Sequence, residues 1–232
     1  MRTITKTRTV RMRILSGRAL LAGLFLFTPS LFATAFSFTG TFTADDDQQI
    51  FDFAISTQTV VTLQTWSFAG GTNAASQSIA AGGFSPVLSL FDTTAFNNLL
   101  IFDNGGVAPG GCGARNVDPV TGFCLDAYLS ATLSTGQYIV VLTENDNTPN
   151  GPTLSDGFFE QGNGNFTGGP FFLNAGGGFQ RNGAWAVDIT GVDSAGQPGV
   201  PEPSNALLAS GGILLLIIAA AVRRRAARRI VE

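Results

Sequence analysis

The chain has 232 residues with 13 basic and 16 acidic side chains, no histidine and two cysteines. Without histidine it has no Ser-His or Cys-His nucleophile pair, and no phosphate-binding glycine loop joins a strand to a helix. The formal charge of −3 conceals a partition: six basic residues precede Phe36 and five follow Val222, so Arg115 and Arg181 alone face fourteen acidic residues between them, a balance of −12. A segment so acidic repels nucleic-acid phosphates and anionic lipid, and its natural small partners are cations.

At the N-terminus Arg2, Lys6, Arg8, Arg11, Arg13 and Arg18 lead into the apolar stretch Ala19 to Phe27, and Ala33-Thr34-Ala35 gives the small-x-small pattern of a signal peptidase site. Residues 1–35 therefore read as a signal peptide with cleavage at Ala33-x-Ala35 and a mature chain beginning at Phe36. An uncleaved N-terminal anchor is the alternative, and it exports the same segment.

The mature region reads as strands. Phe36, Phe38 and Phe42 alternate with Ser37, Thr39, Thr41 and Thr43, and beyond the polar turn Asp45-Asp46-Asp47 the residues Phe51, Phe53 and Ile55 alternate again, a pair expected as a hairpin or as neighbouring strands. Thr59 to Phe68 is rich in β-branched and aromatic residues and predicts a third strand. After a loop of small residues from Gly70 to Gly83, Pro86 to Phe91 and Leu99 to Phe102 are short apolar runs of the kind found in core strands. Ala127 to Leu133 and Tyr138 to Thr143, joined by Ser134-Thr135-Gly136, predict a hairpin. Glu144 to Gly183 is too long for a plain connection and must fold on itself, with most of Phe158, Phe159, Phe171 and Phe172 returning to the sheets. Trp185, Val187 and Ile189 predict the last strand, and a linker runs from 193 to 205. About eight short strands without an amphipathic helix predict an all-β domain over 36–192, an antiparallel jelly-roll-like β-sandwich.

Cys112 and Cys124 lie in one glycine-rich loop with no histidine to complete a metal site, so export to an oxidising compartment predicts a disulfide between them. Two separate thiols are the alternative. Clusters of side-chain oxygens at predicted strand ends, Asp45, Asp46, Asp47, Asp103, Asn104 and Asp146 with Glu144, Asn145 and Asn147 beside the last, are candidate ligands for calcium, although Asp and Asn also occupy such positions simply as turn formers. No spacing matches an EF-hand. A glycosidase needs two carboxylates facing each other across a cleft, and Asp103, Asp126, Glu144 and Glu160 are not paired by spacing, so a surface hydrolase is the weakest reading.

The C-terminal stretch has three parts. Val200-Pro201-Glu202-Pro203-Ser204 predicts a stiff extended stalk, because each proline fixes φ and biases its predecessor away from helix. Ala206 to Val222 is an apolar run of 17 residues, a helix of roughly 25 Å at about 1.5 Å per residue, near the short end for crossing a bilayer core. Residues 223–232 carry five arginines, which stay cytoplasmic and leave the domain on the far side of the inner membrane. This order resembles the PEP-CTERM sorting signal of Gram-negative bacteria. The resemblance implies an exosortase-type transpeptidase as partner, cutting near Pro201-Glu202-Pro203, and a membrane-anchored precursor with a periplasmic domain. It also implies delivery to the cell surface or extracellular matrix and an association with exopolysaccharide and biofilm. A plain single-span anchor is the alternative.

A second resemblance rests on Phe38-Thr39-Gly40-Thr41-Phe42-Thr43-Ala44-Asp45-Asp46-Asp47 with Phe51-Asp52-Phe53, on Leu88-Ser89-Leu90-Phe91-Asp92, and on Gly136-Gln137-Tyr138-Ile139-Val140-Val141-Leu142. These runs look like the bacterial pre-peptidase C-terminal type of domain, a jelly-roll that is usually a non-catalytic accessory module. Relatives of that type bind calcium or polymers. The resemblance implies a non-enzymatic module, with calcium- or carbohydrate-binding as the rival function.

Overall fold

The computed structural model describes residues 34–93, 97–105, 111–173 and 178–198. Ala33, the signal segment before it, the motif Val200, Pro201, Glu202, Pro203 and Ser204, the apolar run 206–222 and the arginine tail lie outside the described residues. Among those that are described, no helix is long and apolar enough to cross a membrane.

Strands dominate because period-two patterns each offer one apolar face. In chain order they are β1 (Ala35–Thr41), β2 (Gln49–Ile55), β3 (Thr59–Thr65), β4 (Gly71–Thr72), β5 (Ser78–Ile79), β6 (Pro86–Asp92), β7 (Leu99–Asp103), β8 (Tyr128–Leu133), β9 (Gly136–Glu144), β10 (Phe172–Leu173), β11 (Phe179–Gln180), β12 (Ala184–Thr190) and β13 (Ser194–Gly196), with one 3-10 turn at Leu154–Asp156. A four-stranded sheet runs β1-β12-β3-β8 and a five-stranded sheet β13-β2-β9-β6-β7, both antiparallel throughout. Two small ribbons, β4-β5 and β10-β11, pair apart from these sheets.

The two sheets share one core, a β-sandwich-like arrangement. Val61, Leu63, Leu129, Trp185, Val187 and Ile189 come from the first sheet and Phe51, Phe53, Leu88, Leu90, Val140 and Leu142 from the second. Phe51 meets Trp185 edge-on across the interface at 5.8 Å between ring centres, and Phe42, Phe84 and Phe171 stack in sequence at one end, at 5.1 and 5.5 Å. Such ring pairs contribute about 0.5–1.5 kcal/mol each beyond the area they bury. A second cluster of Phe91, Val141 and Phe158, flanked by Leu99, Ile139 and Leu154, covers the outer face of the five-stranded sheet. This is why β6 is buried on both faces and reads as a continuous apolar run.

Several expectations are corrected. β1 and β2 are not neighbours: β1 pairs with β12, and β2 lies in the other sheet between β9 and β13. β8 and β9 form no hairpin either, since β8 pairs with β3 whereas β9 pairs with β2 and β6. Period two fixes which face a strand buries but not its partner, and Ser134-Thr135 serves as a corner between sheets, braced by the Tyr138 hydroxyl donating to the Ser134 carbonyl at 2.7 Å. β7 is an edge strand whose Leu100, Ile101 and Phe102 are exposed, not a core strand. The loop from Gly70 contains the β4-β5 ribbon. The linker does not begin at 193, because β13 adds to β2 and the Asp193 carboxylate accepts the Ser56 N–H at 2.5 Å. Of the four phenylalanines in the long connection, Phe158 and Phe171 are buried, Phe172 is half-buried and Phe159 is exposed.

Candidate functional site

The disulfide joins Cys112 to Cys124 with Cα atoms 5.6 Å apart and a separation of 12 residues. Closing a loop of this length stabilises the fold by about 3 kcal/mol on the chain-entropy account. Arg115, inside the loop, ion-pairs with Asp103 and donates from Nε to the Asp126 carbonyl at 2.9 Å. The other arginine among the described residues, Arg181, is buried against Asp118 at 2.8 Å and lies 3.8 Å above the Phe68 ring.

The candidate calcium ligands do not converge as one set, although Asp45 and Asp146 both act on the Glu144 carboxyl. Asp45 is fully buried and accepts from the Thr167 N–H at 2.9 Å, the Thr167 hydroxyl at 2.6 Å and the Phe171 N–H at 2.5 Å, so it pins the long connection to the β1–β2 turn. Asp46 accepts the Gly162 N–H at 3.1 Å. Asp47 closes its own turn on Thr43 and Ala44; partial burial pushes its carboxyl up, but those bonds outweigh it and hold the group below the usual range. Asp103 is taken by Arg115 and by the Tyr128 N–H, and Asn104 beside it is exposed. Asp146 is exposed at φ 73° in the turn after β9. Among the described residues no three Asp, Glu, Cys or His side chains are placed to hold one metal ion. Ala35, the expected cleavage residue, is the first residue of β1 and pairs with Thr190.

Two concavities among the described residues bear on these side chains. The first lies on the outward face of the four-stranded sheet, where register places Ser37 opposite Asp188, Asp188 opposite Gln64 and Gln64 opposite Tyr128. The β4-β5 ribbon folds over this row and encloses about 220 Å³ lined by Thr62, Gln64, Trp66, Thr72, Asn73 and Asp188, among others. Asp188 is spent internally: it accepts from the Ser37 hydroxyl at 2.5 Å, the Trp66 indole N–H at 2.7 Å and the Ala74 N–H at 2.8 Å. It fixes the indole and the ribbon in place. What the groove offers a ligand is an aromatic side chain among amides and hydroxyls, a lining suited to a neutral polyhydroxylated molecule.

The second concavity, about 260 Å³, is lined by Glu144, Asn145, Asp146, Phe166, Thr167, Phe172 and Leu173. Glu144 ends β9 and is 4 % exposed, and its Oε2 has no hydrogen-bond partner. Burial, then the negative charges of Asp45 and Asp146, push its carboxyl up to about 9. It is therefore neutral at pH 7. Sequence reasoning put Glu144 in a candidate turn cluster but missed its isolation, because only the fold shows that 166–173 closes over it.

Matched against protein-family models and against curated proteins, the chain has no counterpart in either comparison.

Proposed function

We propose that this chain is an exported, non-enzymatic surface or extracellular-matrix protein: a jelly-roll-like module delivered by a PEP-CTERM type tail that an exosortase-type transpeptidase recognises. The observation that carries the reading is the tail itself, with Pro201-Glu202-Pro203, the apolar run 206–222 and five arginines in that order. The domain is in keeping with it. A cystine suits an oxidising compartment, and a balance of fourteen acidic to two basic residues favours solubility outside the cell. Counting only the eight long strands, β1, β12, β3 and β8 face β2, β9, β6 and β7; the wrapped order first-eighth-third-sixth over second-seventh-fourth-fifth supports the jelly-roll assignment. Three of the four candidate hydrolytic carboxylates serve other ends: Asp103 pairs with Arg115, Asp126 binds backbone, and Glu160 accepts the Asn163 amide at 2.7 Å, which leaves Glu144 without a carboxylate partner across a cleft among these four.

Replacing Pro201-Glu202-Pro203 by three alanines leaves the apolar run and its arginines intact, so membrane insertion is expected to persist while processing stops. In a host with an exosortase, blotting of cell fractions should find the wild type shortened by the segment beyond Ser204 and the variant full length in the inner membrane. A wild type that stays full length there would reduce the tail to a plain anchor.

The groove at Trp66 favours one second reading, a carbohydrate-binding module acting on extracellular polysaccharide. Trp66→Ala and Gln64→Ala are each expected to weaken retention in polysaccharide-loaded affinity gels by tenfold or more (~1.4 kcal/mol). Retention unchanged in both variants would remove this reading and leave the sorting proposal untouched.

A further inference from the structure

The cystine loop and the groove at Trp66 meet at Asn116. Its Nδ2 donates to the Gly70 carbonyl at 2.8 Å, at the point where the chain enters β4. Gly71, the first residue of β4, sits at φ 140° between that amide and the indole. A Cβ at this position would collide with Asn116 Nδ2 and stand 2.9 Å from Trp66 Cε3, so glycine alone fits there. The Gln64 amide, which also lines the groove, donates to the Ala114 carbonyl of the same loop at 3.4 Å, a longer and weaker bond. Asp188 holds the indole by its N–H. The opposite side of the ring, at Cε3, is covered by Gly71, and Gly71 in turn by Asn116.

What keeps Asn116 in place is the cystine. Cys124 is fully buried and lies just before Asp126, whose carboxylate binds the Thr65 hydroxyl and the Phe68 and Ala69 N–H groups. Cys112 is half-buried and the two residues after it are exposed. The Arg115 N–H bonds back to the Cys112 carbonyl at 3.0 Å, so it closes a turn within the limb and ties it to nothing else. The limb from Cys112 to Asn116 belongs to no strand, and such segments come from the low-stability end of a fold. The S–S bond fastens its start to the buried end of the loop, and the Arg115 side chain fastens its middle to Asp103 and to the Asp126 carbonyl.

We propose that Asn116 is a positioning residue of the groove: held by the Cys112–Cys124 bond, it presses the entry of β4 onto the indole and sets the gap between ribbon and ring that a ligand enters. For its ligand this role rests on the carbohydrate-binding reading, and for its geometry on the contacts of Asn116, Gly70, Gly71 and Trp66 alone. The groove is then complete only in the cystine-closed protein. Opening the bond frees the limb, the ribbon entry relaxes, and the ring loses its cover while its N–H stays on Asp188.

The chain has two tryptophans, so Trp185→Phe in the purified full chain makes Trp66 the sole emitter, and it removes an indole N–H that has no partner in the core. Acrylamide quenching of that emission then reads the groove without any ligand. In this background Asn116→Ala and Asn116→Asp, which keeps the shape but not the donor, are each expected to raise the quenching constant by about twofold with the cystine intact. The paired change Cys112→Ala with Cys124→Ala should do the same, and if that protein fails to fold the two Asn116 variants decide alone. Val117→Ala, at an exposed position in the same loop, should leave quenching unchanged. Retention on gels loaded with dextran, xylan or hydroxyethylcellulose should fall by about tenfold in the Asn116 variants. A wild type that none of these gels retains, with quenching raised in the variants, removes the sugar and supports the positioning role. Quenching at the wild-type value in both Asn116 variants overturns it. So does retention that Trp66→Ala abolishes and Asn116→Ala leaves intact.

Discussion

Raising the pH from 5 to 9.5 is expected to cost the folded domain on the order of 5 kcal/mol through Glu144 alone. The carboxyl ionises near 4.5 in an unfolded chain and is pushed up to about 9 in the fold, first by burial and then by Asp45 and Asp146. Between those values the folded state holds a proton that the unfolded state has released. The stability this proton confers is full below the unfolded value, declines as pH rises, and is gone above the folded one. Asp126 acts in the same direction over a lower window, since burial pushes it up to about 6 from 3.8. Denaturant melts across this range should fall steadily through pH 7 to 9, and Glu144→Gln should flatten that limb while leaving the Asp126 part in place. A wild type whose stability is level from pH 6 to 9.5 would show that Glu144 is ionised in the fold.

Asp126→Ala is the substitution expected to do most damage at neutral pH. The side chain is 1 % exposed and binds three donors of the strand that leaves the four-stranded sheet: the Thr65 hydroxyl at 2.9 Å, the Phe68 N–H at 3.0 Å and the Ala69 N–H at 2.8 Å. An alanine leaves all three buried and unanswered, at about 1–3 kcal/mol each before relaxation, so a loss of about 3–5 kcal/mol is expected. Asp126→Asn should cost less, because its amide oxygen still accepts. Urea titration of both variants with the cystine intact provides the measurement, and a loss under about 1 kcal/mol for the alanine variant would contradict this role.

The strand faces were legible because alternation at Phe36 and Phe38, at Phe51, Phe53 and Ile55, and at Trp185, Val187 and Ile189 has one physical solution, burial of one side. Partners were not, because the same alternation in Leu129, Leu133, Tyr138 and Val140 suits a hairpin or a corner between sheets equally well. β7 misled for a related reason: Leu99 to Phe102 has the composition of a core strand, and only its place at the sheet edge leaves three of those side chains in solvent. The cystine loop could be read from isolation of the two thiols. The calcium clusters could not be separated from turn formation, and most of those carboxylates turned out to hold backbone N–H groups. Glu144 and Trp66 owe their settings to residues distant in sequence, 166–173 for the first and Asp188 for the second, which no local pattern joins to them.

The pairing of β1 with β12 also sets a clock. Ser37 and Asp188, hydrogen-bonded across that ladder, are 151 residues apart, and β2 likewise waits for β9. A chain that emerges from its N-terminus first therefore presents Phe36 and Phe38 long before Val187 and Ile189 follow to cover them. Closing so large a loop makes such topologies slow to fold, on the order of milliseconds to seconds. Until Thr190 has crossed, the first strand has no ladder to join and the sandwich stays open. If the apolar run at 206–222 then stops in the membrane, as proposed, the chain is held at the exit when its last long strand becomes available. Closure would thus take place on a tethered molecule, separated from its neighbours during the interval when its strand edges are bare.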